Sequence, residues 1–189
     1  VMLEIGSPMH VFDLDLLDLP INVLFQSNNE PFQIIGGDLK NLENSSLIIS
    51  DQKGVQAVAG IIGGEKTSVS KSTKNIAVEA AFFHPDKIVN EARKYGLATD
   101  ASHRFERGVD PVMQKQALER FIFLLDDSLL IDITLKTYVT RSAKRGLSGG
   151  RRYFTLRRLK RRRYHNVFLR NENLTLNKLK SYLKVFILK

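Results

Sequence analysis

At 189 residues and 43% apolar, the chain is long enough for one good core plus part of another module, and its composition is that of a globular protein rather than a disordered one. It contains no cysteine, which excludes a disulfide framework, thiolate metal sites and thiol nucleophiles and suits a reducing cytoplasm. The net charge of +9 is unevenly carried: residues 1–135 hold 12 Lys+Arg against 19 Asp+Glu, whereas residues 136–189 hold 17 against one.

The opening stretch has no signal-peptide character, since Glu4, Pro8 and His10 interrupt it, and no apolar run reaches the roughly 18 residues of a membrane span. No membrane partner is expected. The chain opens inside an apparent structural element and reads as a piece of something longer. A turn at Gly6-Ser7-Pro8 throws His10 into a loop, where a lone His is either a structural hydrogen-bonder or a functional group. Asp13 and Asp15, two apart, are expected at the surface.

From 21 to 83 the pattern is β. Short branched or aromatic runs at 23–26, 32–35 and 47–49 are punctuated by Asn28-Asn29, Gly36-Gly37 and Ser45-Ser46. Residues 54–64 form a small-residue strand that ends in Gly63-Gly64. Glycines there can take positive φ, or let a ligand or another backbone come close. No Gly-Lys-Ser/Thr follows, so this is not a phosphate loop. Residues 75–83 read as a buried strand with one carboxylate, Glu79, in its middle. A Glu among Val, Ala and Phe must be paired or must face a cavity, because a bare buried carboxylate is costly. A salt bridge and a ligand-facing role both remain open.

Pro85 opens a helix that runs through Ile88, Ala92 and Tyr95 to a stop at Gly96. Asp110 and Pro111 start a second, carrying Ala117, Leu118, Phe121 and Ile122. Between them, residues 99–111 read as a polar connection able to present side chains in fixed directions. Beyond 127, residues 131–139 suggest a strand, Phe154-Thr155-Leu156-Arg157 a short strand, and Asn173-Leu174-Thr175 a cap for a last helix with Leu176, Leu179, Leu183 and Phe186. The basic tail suits a polyanion such as RNA, or is simply a solvated face. The four His, at 10, 84, 103 and 165, lack metal-ligand spacing.

Four blocks carry a resemblance. They are Gly6-x-Pro8-Met9-His10-x-Phe12-Asp13-Leu14-Asp15, Ala59-Gly60-Ile61-x-Gly63-Gly64-Glu65, Glu79-x-Ala81-Phe82-Phe83, and the run Thr99-Asp100-Ala101-Ser102-His103-Arg104-Phe105-Glu106-Arg107-Gly108-Val109-Asp110-Pro111. In this order and spacing they resemble the beta chain of bacterial phenylalanyl-tRNA synthetase over residues 1 to about 127. The resemblance implies an α+β fold: a three-layer editing domain with a β-sandwich of unusual topology, over 1–135. A linker at 136–150 would follow, then at 151–189 the basic, degenerate start of a small helical module with a DNA-binding-like fold.

It also implies an activity. An apolar pocket rejects an isostere that only adds a hydroxyl by about 10²-fold, so a Phe-charging enzyme needs a second site that cleaves Tyr-tRNA(Phe). In the family a strand-borne Glu accepts the phenol proton, and Glu79 stands at its position. His10 matches a His near the ester, with an orienting or water-positioning role. Thr99 and Ala101 match residues lining the ring, and Gly63 a glycine that keeps the pocket open. A further Arg would lie upstream of Val1. His103, Arg104, Glu106 and Arg107 are read as an ion-paired turn that fixes Thr99 and Ala101. The resemblance implies tRNA(Phe) and a synthetase alpha chain in an α2β2 ligase as partners. ATP and Mg2+ would serve the whole synthetase, with no cofactor or metal in this part. Two other readings stay open: a tRNA-contacting or subunit-bridging scaffold without editing, and a truncated fragment without function.

Overall fold

The computed structural model describes residues 1–125, together with the backbone of three further strands at 134–138, 154–155 and 183–188. A one-turn helix, α1 (Met2–Ile5), leads into strand β1 (Met9–Asp13). Asp13 is buried, contrary to expectation. Its Oδ1 accepts the Asp15 N–H at 3.0 Å and its Oδ2 the Thr73 hydroxyl at 2.6 Å, so it caps the 3-10 turn Leu14–Leu16 and ties it to the chain ahead of Ile76. Six strands follow in the expected β region: β2 (Asn22–Phe25), β3 (Glu30–Gln33), β4 (Leu39–Leu42), β5 (Leu47–Asp51), β6 (Gly54–Val58) and β7 (Ile62–Gly63). The strands β2-β5-β6-β7 make one antiparallel sheet, and β3 pairs with β4 as a separate hairpin. Strand β8 (Ile76–Ala81) then returns to pair antiparallel with β1.

The helices depart from expectation in detail. Pro85 opens only a 3-10 turn, and α2 (Glu91–Lys94) is a single turn that ends before Gly96. Residues 100–107, expected as a connection, form the eight-residue helix α3 (Asp100–Arg107). Its polarity misleads because only Ser102 and Phe105 are buried; a helix with one narrow inner face needs few apolar residues. Helix α4 (Gln114–Leu124) starts three residues later than Pro111. Asp110 accepts the Val112 N–H instead, in a turn ahead of the helix. Then come β9 (Thr134–Tyr138), β10 (Phe154–Thr155) and β11 (Leu183–Leu188).

Strand β11 corrects the expected final helix. Leu183 and Phe186 lie in an extended segment that pairs parallel with both β8 and β9, completing a sheet in the order β1-β8-β11-β9-β10. Its residues Val185, Phe186 and Ile187 are β-formers, and sheet pairing outweighs the helical spacing of the leucines. The rest of that expected helix, most of the 136–150 linker and most of the 151–189 segment lie outside the described residues. Among the described residues, no helix is long and apolar enough to cross a membrane.

What positions the site is the two-faced strand β8. Ala77 and Ala81 join the main core with Phe12, Ile49, Ala57, Ile61, Phe83 and Phe105. Val78 points the other way, onto Leu118 and Phe121 of α4, with Met9 and Val11 of β1 beside it. The two-residue period therefore sends Glu79 to the main-core side. An ion pair from Arg120 Nε to Glu4 Oε2, at 2.8 Å, fastens α4 to α1 beyond the outer face. The result is a mixed α/β fold with several antiparallel sheets.

Candidate functional site

In the β1–β8 register His10 lies directly opposite Glu79. Glu79 sits on a strand whose neighbours are buried, so its side chain cannot turn to bulk water without breaking the alternation, whereas His10 lies half-buried on β1. Glu79 is only 6% exposed. Among the described residues no hydrogen bond or ion pair reaches its carboxylate. Burial pushes its pKa up to about 8, since desolvation penalises the anion. Burial acts oppositely on His10, whose imidazole is pushed down to about 4. At neutral pH both groups are thus uncharged. The His10 ring packs edge-on against Phe12, with centroids 4.4 Å apart, and its buried Nε2 has no partner among the described residues.

The floor beneath the imidazole is Gly63 on β7. A Cβ there would lie 2.4 Å from His10 Cε1 and 2.5 Å from Nε2, so any larger residue would evict the ring. Gly64 is held for the same reason, against Phe32 Cζ at 2.8 Å. Neither glycine has positive φ; that conformation belongs to Gly60, at +71°, in the turn between β6 and β7. A Cβ on Gly60 would also meet Phe83, Phe105 and Ile88 at 3.0–3.2 Å. Small size, rather than conformational freedom, is what Gly63-Gly64 contributes.

The remaining wall is α3. Ala101 and Phe105, four residues apart, present one helical face to the same hollow. Thr99 is the N-cap. Its Oγ1 accepts the Ser102 N–H at 3.0 Å while the Ser102 hydroxyl accepts the Thr99 N–H at 3.1 Å, a reciprocal cap. The Thr99 hydroxyl also donates to the Ile61 carbonyl at 2.9 Å. Its hydrogen is therefore committed, and it acts by stapling the start of α3 to the Gly60 turn.

These elements enclose a cavity of about 60 Å³ lined by His10, Gly63, Glu79 and Ala101, together with Met9 and Phe105. That is room for water but less than an aromatic side chain needs. Four of the residues expected at the site thus share one hollow, and Thr99 supports it from behind. The contributions of Phe105, Gly60 and Ser102 were not visible beforehand; the Thr-x-x-Ser spacing at 99–102 is the signal that points to the cap.

The expected ion-paired turn takes another form. His103 and Arg107 are exposed, and Arg104 and Glu106 half-buried, on a helix. Arg104 Nη1 donates to the Asp100 carbonyl at 2.9 Å and lies 3.6 Å from its carboxylate. Arg107 Nη1 donates to the His103 carbonyl at 3.1 Å. What fixes Thr99 is Ser102 and Ile61, not these charges. Among the described residues no group of three or more His, Asp or Glu side chains is placed to hold a metal ion.

Chemically, the hollow offers a neutral carboxyl and a neutral imidazole on facing strands in an apolar wall. Residues 1–129 match the family model of the B3/4 domain. The chain is 49% identical over 125 residues to the phenylalanine–tRNA ligase beta subunit of Idiomarina loihiensis, which covers 66% of this chain and 16% of that protein. It is 49% identical over 127 residues to that of Francisella tularensis (67% and 16%) and 45% identical over 149 residues to that of Photorhabdus laumondii (76% and 19%). It spans about a sixth to a fifth of the length of these relatives. The matched region holds β1, β8, the glycine floor and α3 alike: the chain belongs to the B3/4 domain family.

Proposed function

We propose that this chain serves as part of a phenylalanine–tRNA ligase beta subunit, and that its cavity is an editing site that hydrolyses Tyr-tRNA(Phe). The observation that carries the reading is Glu79, a buried carboxyl without a partner among the described residues, facing the same hollow as His10. A tyrosine ring entering there meets Glu79 with its phenol, and a hydrogen bond forms between two groups otherwise buried unpaired. Phenylalanine leaves the Glu79 carboxyl desolvated and unsatisfied. Sites that discriminate by such a missing partner reach about 10⁴-fold. His10, neutral at physiological pH, orients the ester or the attacking water. That water adds to the ester carbonyl, the bond to the ribose oxygen breaks, and the ribose hydroxyl and free tyrosine leave. Gly63 keeps the imidazole seated; Thr99 and Ala101 hold the α3 wall.

The cavity must widen to take a phenol. The reading extends to the finer architecture implied by the family, a three-layer editing domain over 1–135. It also includes tRNA(Phe) and an alpha chain as partners in a cytoplasmic α2β2 assembly. Aminoacylation with ATP and Mg2+ is assigned to that partner. The described residues here include no acidic cluster suited to the cation.

The test is deacylation of Tyr-tRNA(Phe) and Phe-tRNA(Phe) by the chain, with and without an alpha chain. Wild type should favour the tyrosyl ester, and Glu79→Ala should lose that preference. A variant that keeps the wild-type preference for the tyrosyl ester refutes the assignment. The small cavity is the one observation that favours a tRNA-contacting scaffold without editing. Salt-sensitive tRNA binding with no hydrolysis by wild type would establish that alternative.

A further inference from the structure

Helix α3 has a second face. At 100° per residue, Ala101 and Phe105 look into the cavity, while His103, Arg104 and Arg107 stand on the far side at spacings of three and four. With Asp100, Gly6 and Gly108 they border an open depression of about 570 Å³. Its charge is only partly compensated. Asp100 lies within ion-pair distance of Arg104, but among the described residues no carboxylate lies within that distance of Arg107 or of the His103 imidazole. Arg107 uses one nitrogen on the His103 carbonyl and keeps its other donors for solvent. The depression and the cavity lie on opposite sides of α3. Gly6 borders the first and Pro8 the second, and α3 forms a wall of both. The separation is about one helix diameter, roughly 10 Å, which a few nucleotides of single strand can span.

We infer that this outer face of α3, through Arg107, Arg104 and His103, binds a phosphate of the polynucleotide strand whose 3′ end enters the cavity. The inference rests on the editing reading for the identity of that 3′ end. Its chemistry is a guanidinium fork with free donors meeting a phosphodiester. The competing account is structural: basic residues in the last turn of α3 satisfy its C-terminal carbonyls and dipole, and bind nothing.

The full chain decides between them with two tyrosyl esters, one on adenosine without any phosphate and one on a CCA trinucleotide, and with direct binding of uncharged tRNA across a salt series. For Arg107→Glu we expect a KM for the trinucleotide ester raised about fivefold, the scale of an exposed ion pair. We expect the slope of log K against log salt to fall by about 0.7 for one lost single-strand contact. The adenosine ester should be cleaved as by wild type, and Arg107→Lys should recover most of the loss. Because the basic tail is common to both proteins, only the difference between them is read. An unchanged salt slope and KM, or equal losses on both esters, overturns the inference; so does an Arg107-dependent binding of inorganic phosphate alone without any effect on RNA. If wild type cleaves neither ester, the editing reading falls, and the tRNA-binding arm still judges this face.

Discussion

Replacing Glu79 with Gln isolates the energetic consequence of the buried acid. The carboxyl sits near 4.5 in the unfolded chain and near 8 in the folded one, so between these values the native state holds a proton that the unfolded state has lost. Stability is full below the lower value and declines as pH rises toward the upper. His10 runs the other way: with a folded value near 4 against 6.5 unfolded, its contribution is present above 6.5 and is lost as pH falls toward 4. The two slopes oppose each other between roughly 4.5 and 6.5, and only Glu79 acts from 6.5 to 8. One unit is worth about 1.4 kcal/mol, so wild type should lose about 2 kcal/mol across that upper window. Glu79→Gln keeps the shape, removes the titration, and should abolish this loss. Urea denaturation of both proteins at pH 6.5 and pH 8.0 reads the difference directly. Parallel slopes in the two proteins would show that the carboxyl is solvated or paired, and the physical basis of the site would be gone.

Gly63→Ala should cost about 1–3 kcal/mol in wild type, because its new methyl overlaps the His10 ring. In a His10→Ala background the same change should cost little, and a double-mutant cycle measures the coupling; an equal cost in both backgrounds would place the clash elsewhere. Thr99→Ala removes both the cap of α3 and the link to Ile61, for a destabilisation of about 1–2 kcal/mol by thermal or urea melting. Thr99→Ser retains the hydroxyl and should recover most of it, whereas failure to do so would assign the effect to the methyl group.

Much of this site could be read from residue order because its logic is local. Alternation along 76–81 dictates that a Glu in mid-strand faces a core, and a Gly beside another strand signals close approach. The pairing of His10 with Glu79 was not readable, since strand register depends on a partner far along the chain. The 99–107 segment was misread as a connection because composition dominates where an apolar stripe is only one or two residues wide. Thr99 and Ser102, which cap that helix, carry more structural information than its five charged or histidine side chains. Leu183 and Phe186 show the opposite error: helical spacing of leucines was overridden by tertiary pairing of a β-branched run. Of the two roles open to Gly63 and Gly64, close approach and positive φ, the structure uses the first: what they supply is the missing side chain.

The pairing of the first strand with the eighth has a consequence for biosynthesis. On a ribosome that adds roughly 5–20 residues each second, Met9–Asp13 emerges several seconds before Ile76–Ala81 exists to receive it. The acid and the imidazole therefore meet late, after the intervening β2–β7 segments have left the exit tunnel. A nascent chain halted before residue 76 carries the imidazole and its glycine neighbour but no opposing acid.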